Sequence, residues 1–184
     1  MSKKVLVAIA DGTEELEAVT AVDCLRRAQI DVTVASVAQM QITTSRKVRI
    51  TADKSIADCV NVSYDLIALP GGMPGAEHLR DSKPLAELLT TQEQQGKLYA
   101  AICASPVVVL LHHGLLPKKA TCYPSFAGQL PDPQTAAQRV VVDGRCVTSS
   151  GPGTAMEFAL ELVRQLMGDK KARQVAEPML AATR

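Results

Sequence analysis

Leu98-Tyr99-Ala100-Ala101-Ile102-Cys103-Ala104-Ser105-Pro106, LYAAICASP, carries an apolar run into a cysteine, followed by small residues and a second apolar run. Two readings compete. Cys103 is either a thiol buried in a core, as free cysteines usually are, or a nucleophile on a sharp turn between a strand and a helix. The second reading requires a particular fold, so the surrounding pattern decides its worth.

Outward from this stretch, apolar runs alternate with helical periodicity. Toward the N-terminus the sequence predicts strands over Lys3–Ile9, Asp31–Val37 and Asp65–Leu69, with helices over Glu14–Ala28 and Ser82–Gln95. Arg46–Thr51 reads as a short, partly exposed strand or hairpin arm. Leu98–Ile102 is the strand entering Cys103, and Ala104–His113 reads as the helix after it, stopped by Gly114. Beyond lie a hairpin over Val140–Ser149, with Asp143-Gly144 as a type I′ turn signal, and a Thr154/Glu157 capping box opening an apolar helix to Met167. Asp169 is expected to cap a short final helix. Strands with apolar residues on both faces, alternating with helices, imply a mostly parallel sheet between helical layers. No repeat or linker divides residues 1–184, so one α/β domain is expected.

Composition limits the function classes. The formal charge is +1, aromatics are 3% and Trp is absent, which gives no strong nucleic-acid signal. Nothing reaches the ~20 apolar residues of a membrane span. The run Val5–Ala10 after Lys3-Lys4 is short for a signal peptide, so a cytoplasmic protein is expected. Five cysteines at unpaired spacings fit a reducing compartment. No CxxC, HExxH or Cys/His cluster offers metal-ligand spacing, so neither metal nor cofactor is expected.

In parallel sheets ligands gather at the carboxyl ends of the strands, which selects residues 10–17, 70–75, 103–106 and 149–154. The alanines beside Cys103 suit a tight turn, and the helix after it would offer N–H groups that favour a thiolate or hold an oxyanion. Cys24, Cys59, Cys122 and Cys146 read as core packing. Gly71-Gly72 would let backbone approach a ligand closely, although a plain turn explains the pair equally. Gly151-Pro152-Gly153-Thr154 is explained by a capped helix start. Asp11, Glu14, Glu15 and Glu17 bring carboxylates to the same sheet edge. One turned inward would have a raised pKa and could donate a hydrogen bond to a thiolate, but spacing does not choose among Glu14, Glu15 and Glu17.

The segments DGTEELEAV, LPGGMPGAEHL, AAICASP and TSSGPGTAMEFAL together resemble the ThiJ/PfpI superfamily, nearest the branch of the parkinsonism-associated deglycase and bacterial YajL. The resemblance runs in order from about Val5 to the final helix. It implies a flavodoxin-like three-layer α/β sandwich with a nucleophile-elbow cysteine, assembled as a homodimer. It places the reactive, oxidation-sensitive cysteine at Cys103 and selects Glu17 as the protonated acid that bonds its sulfur. It assigns the backbone N–H groups of Gly72 and Ala104 to an oxyanion site, and puts Arg46, after Ser45, near the partner's pocket. Two departures stand out. Protease-like members have histidine directly after the cysteine, where this chain has Ala104, so the local dyad of a peptidase is missing. The deglycase has His-Pro where this chain has Tyr123-Pro124, and tyrosine does not act as a base at neutral pH.

The implied activity is a glyoxalase needing neither glutathione nor metal, or a deglycase, acting on small α-oxoaldehydes such as methylglyoxal or on their glycated adducts. In it Cys103 attacks the aldehyde and Glu17 moves the proton. The rival is a redox sensor and stress chaperone with unfolded-protein clients, switched by oxidation of Cys103 to the sulfinate. The same residues serve both.

Overall fold

The computed structural model describes residues 2–182. In chain order its elements are β1 (Lys4–Ile9), α1 (Glu15–Arg27), β2 (Asp31–Ser36), β3 (Gln41–Thr43), β4 (Arg49–Thr51), β5 (Lys54–Ser55), β6 (Leu66–Leu69), α2 (Gly75–Asp81), α3 (Lys83–Gln94), β7 (Leu98–Ile102), β8 (Val140–Asp143), β9 (Cys146–Ser149), α4 (Ala155–Met167) and α5 (Asp169–Ala176). Strand β1 illustrates why the fold has three layers. Successive side chains of a strand point to opposite faces. Val5, Val7 and Ile9 enter one core with Leu25 and Phe158, whereas Leu6 and Ala8 enter another with Leu79, Leu85 and Leu89. A strand apolar at every position after Lys4 therefore needs helices on both sides, and α1 and α4 cover one face while α2 and α3 cover the other.

The seven-stranded sheet has the order β5-β2-β1-β6-β7-β9-β8. Every pairing is parallel except β8 with β9. Its five central strands, counted along the chain, run 2-1-3-4-5, the flavodoxin-like doubly wound order. The topological switch lies between β1 and β6, with β7 next to β6, so the loops after β1, β6 and β7 converge at one sheet edge. Among the described residues no helix is long and apolar enough to cross a membrane.

Several local expectations are revised. Arg49–Thr51 is the return arm of a small separate hairpin with Gln41–Thr43, and Arg46 lies in the turn between them. Gly75–Asp81 forms a helix that the preceding Pro-Gly-Gly obscures in the sequence. Asp143 pairs with Cys146, which leaves Gly144 and Arg145 as the turn. Only Gly144 of these has positive φ, the pattern of a type II′ turn with Gly first rather than type I′. The Thr154/Glu157 capping box does not form. Thr154 Oγ1 instead turns back to accept from Gly151 N (3.1 Å) and to share a hydrogen bond with Ser149 Oγ (2.6 Å), while Glu157 pairs with Arg139 at 2.7 Å. Gly168 takes the capping position of α5, and Asp169 instead pairs with Arg164 and Arg173. The segment after Cys103 is a π-helix over Pro106–Leu111, entered through a turn at Cys103-Ala104.

Candidate functional site

Cys103 is the first residue beyond β7 and has φ of +66°. A non-glycine residue rarely adopts this left-handed conformation, and at sites of chemistry such strain is held in place by its surroundings. Here the surroundings are visible bond by bond. Cys103 N donates to Ser149 O at 3.0 Å, and Cys103 O accepts from Tyr123 N at 2.8 Å. Ser105, wholly buried, donates to Pro70 O at 2.6 Å and ties the turn to the loop after β6. Gly71 lies directly against the cysteine, where a Cβ would sit 2.5 Å from Cys103 Cβ.

The loop after β6 is held equally firmly from the other side. Gly72 has φ of +88°, and a Cβ there would fall 2.4 Å from both Glu14 N and Gly12 O. Glu14 N donates to Gly71 O at 2.9 Å. Only glycine permits the two loops to approach this closely. The outcome is a rigid floor on which the N–H groups of Gly72 and Ala104 interact with the Cys103 sulfur.

Glu17 enters this floor from α1. It is 1% exposed, and its Oε2 accepts from Gly71 N at 2.7 Å. Its Oε1 is buried without a complete hydrogen bond, and the polar side chain that interacts with the carboxyl is the Cys103 thiol. Burial raises the Glu17 pKa to about 7, with a smaller push from the charge of Glu14, against the opposing bonds from Gly71 and Cys103. The helix register thus separates three neighbouring glutamates that spacing could not. Glu14 accepts from Ser45 Oγ at 2.7 Å, and Glu15 accepts from Ser45 Oγ and Arg46 N at 3.1 and 3.2 Å. For Glu15, burial is outweighed by hydrogen bonds from the backbone of Glu15 and Arg46 and from Thr44 and Ser45, which lower its pKa. Glu17 is the one that interacts with the Cys103 sulfur, and its burial lets it hold a proton near neutrality.

The N–H groups expected to favour the thiolate do lower the Cys103 thiol, but larger effects oppose them. Burial, then the negative charge of an ionised Glu17, push the Cys103 thiol up to about 12, outweighing the N–H groups of Gly72 and Ala104. The two groups are linked, because ionisation of Glu17 raises the Cys103 thiol. A thiolate arises here when Glu17 carries the proton, because its repulsive charge is then gone and its hydroxyl can donate.

The remaining expected residues fall around this centre. Arg46 is exposed, and its backbone N–H is what reaches Glu15. Tyr123 touches the Cys103 turn through its backbone, and its ring lies on Gly151, where a Cβ would be 3.2 Å from Cδ2. Sequence reasoning missed the Ser105–Pro70 and Tyr123–Cys103 ties. Ser105 is visible in the sequence only as a small neighbour of the cysteine. The other four cysteines are 0–1% exposed, against 9% for Cys103.

The sequence profile of the DJ-1/PfpI family matches residues 3–165. The chain is 47% identical over 182 residues to protein DJ-1 homolog B of Arabidopsis thaliana, covering 97% of this chain but 42% of that longer protein. It is 34% identical over 174 residues to the glutathione-independent glyoxalase DJR-1.2 of Caenorhabditis elegans, covering 94% of this chain and 92% of the relative. The solved structure of oxidized Toxoplasma gondii DJ-1 superposes with a TM-score of 0.96 at 49% identity, covering 99% of this chain and 100% of that one. With a doubly wound sheet, a cysteine at a tight turn and likeness along nearly the whole of this chain in agreement, the chain belongs to the DJ-1/PfpI family.

Proposed function

We propose that this protein is a cysteine-dependent, glutathione-independent glyoxalase that converts small α-oxoaldehydes, or their glycated adducts, into 2-hydroxy acids. The observation that carries the reading is the buried Glu17 carboxyl, which accepts from Gly71 N at 2.7 Å and meets the Cys103 thiol, set against the N–H groups of Gly72 and Ala104. The name of the Caenorhabditis elegans relative supports the reaction class.

With methylglyoxal the steps balance without cofactor or external oxidant. Glu17 takes the thiol proton as Cys103 Sγ bonds the aldehyde carbon, and the former carbonyl oxygen, held by the two N–H groups, is protonated to give a hemithioacetal. Glu17, ionised again, removes the proton from that carbon and returns one to the neighbouring ketone carbon through an enediol. The aldehyde carbon is thereby oxidised and the ketone carbon reduced, leaving a lactoyl thioester on Cys103. Water cleaves the thioester, releasing lactate and the free thiol. An adduct enters the same sequence once its amine or thiol leaves the aldehyde carbon. Purified protein should form lactate from methylglyoxal, and Cys103→Ser should form none. Equal lactate from both proteins would end this reading.

The redox-sensor reading is favoured by a separate observation, the 9% exposure of Cys103 among cysteines exposed 1% or less. Peroxide should then add two oxygens at Cys103 selectively, and equal oxidation of all five cysteines would remove it. We further infer a homodimer. Leu16 (48% exposed) and Val19 (54%) lie one turn apart on the outer face of α1, beside the turn that carries Arg46. Leu16→Asp should yield a monomer in light scattering, and an unchanged mass would exclude that interface.

A further inference from the structure

Outside the Cys103 site, three sulfur side chains from distant parts of the chain converge. Cys24 Sγ, on α1, lies 3.7 Å from Met156 Sδ in the first turn of α4 and 3.9 Å from Met179 Sδ in the turns after α5. Cys24 is wholly buried, whereas the two methionines are partly buried at the rim of the same apolar core. Among the described residues no three His, Cys, Asp or Glu side chains form a metal-binding group. The three sulfurs therefore stand outside any such group.

A metal–sulfur bond of about 2.3 Å places the ligands of a three-coordinate ion about 4.0 Å apart, close to both separations seen here. Thiolate and thioether ligands in an apolar surround select a soft monovalent ion over zinc or the hard cations. The partly exposed methionines give such an ion a route inward, and flexible thioethers can close around it without moving the helices. We propose that Cys24, Met156 and Met179 form a binding site for Cu(I), separate from the Cys103 centre. On binding, the ion forms one bond to the Cys24 thiolate and two dative bonds to the thioethers, the thiol proton passes to solvent, and no oxidation state changes.

The test uses the whole chain carrying Cys103→Ser, which removes the most exposed thiol. It is titrated anaerobically with the Cu(I) acetonitrile complex against a chromogenic Cu(I) chelator. One equivalent should be retained, with a sulfur-to-metal charge-transfer band in the ultraviolet. Adding Cys24→Ala should abolish both. Met156→Leu and Met179→Leu, which nearly conserve volume, should each weaken retention roughly tenfold or more, since even an outer-shell partner is worth that much. An equivalent that survives Cys24→Ala, or retention unchanged in the double methionine variant, would overturn the site. If Cys24→Ala does not fold, the double methionine variant decides alone.

Discussion

Replacing Glu17 by Gln isolates the energetic consequence of burying a carboxyl beneath a thiol. The Glu17 pKa rises from 4.5 to about 7 on folding. The folded state therefore binds this proton more tightly than the unfolded chain. The sign follows from linkage. Between pH 4.5 and 7 the native protein holds more protons than the unfolded one, so stability falls as pH rises through that window and levels off above it. A shift of about 2.5 units at ~1.36 kcal/mol each gives a loss of about 3 kcal/mol. Gln keeps the acceptor for Gly71 N and the donor toward Cys103 but never ionises, so its stability should lack this decline. At about 2–4 °C per kcal/mol for a chain of this size, the melting temperature of the variant relative to wild type should rise by roughly 10 °C between pH 4.5 and 8. Cys103 does not interfere, because its own titration begins only above the ordinary thiol range. Denaturant or thermal melts of both proteins across that range make the measurement, with the difference between the two curves cancelling other titrating groups. Parallel curves would refute the buried-carboxyl reasoning.

On the proposed glyoxalase reading the Glu17 proton also sets the rate. The competent pair carries one proton between Glu17 and Cys103, so kcat/KM for methylglyoxal should rise with pH and reach a plateau above about 7, and a flat or falling profile between pH 5.5 and 8 would contradict it. Tyr123→Phe should leave the turnover near wild type, since the tie of Tyr123 to Cys103 runs through its backbone N–H, and steady-state kinetics would reveal a required hydroxyl. Ser105→Ala should lower stability by about 1–3 kcal/mol by stranding the Pro70 carbonyl, and should lower kcat more than it changes KM as Gly71 and Gly72 lose their anchor. Gly71→Ala should destabilise by more than about 2 kcal/mol, because its Cβ would sit 2.5 Å from that of Cys103, and denaturant melts would show a tolerated alanine at once.

Legibility followed burial. Leu98–Ile102 was readable to the residue because every position is apolar and buried, as a strand between two helical layers requires. Elements whose signal is local and polar were less legible. Asp143-Gly144 suggested one turn and formed another, and Thr154 with Glu157 had the pattern of a capping box yet found stronger partners in Ser149, Gly151 and Arg139. Gly75–Asp81 became helical because Ala76 and Leu79 are buried in the second core, a cause absent from its own short sequence.

By itself the sequence determined the alternation of strands and helices, the sheet edge at which chemistry belongs, and Cys103 as the residue at that edge. These follow from periodicity and from the carboxyl-end rule for parallel sheets. Tertiary structure decided the rest. Spacing left Glu14, Glu15 and Glu17 open and the family resemblance selected Glu17; the physical reason lies in the packing register of α1 against the loop after β6, which buries that carboxyl and leaves the other two with hydroxyl and backbone donors. It also set the protonation of Cys103, since burial and a neighbouring charge depend on residues brought together across 86 positions (103 − 17), a separation at which local pattern carries no information about contact.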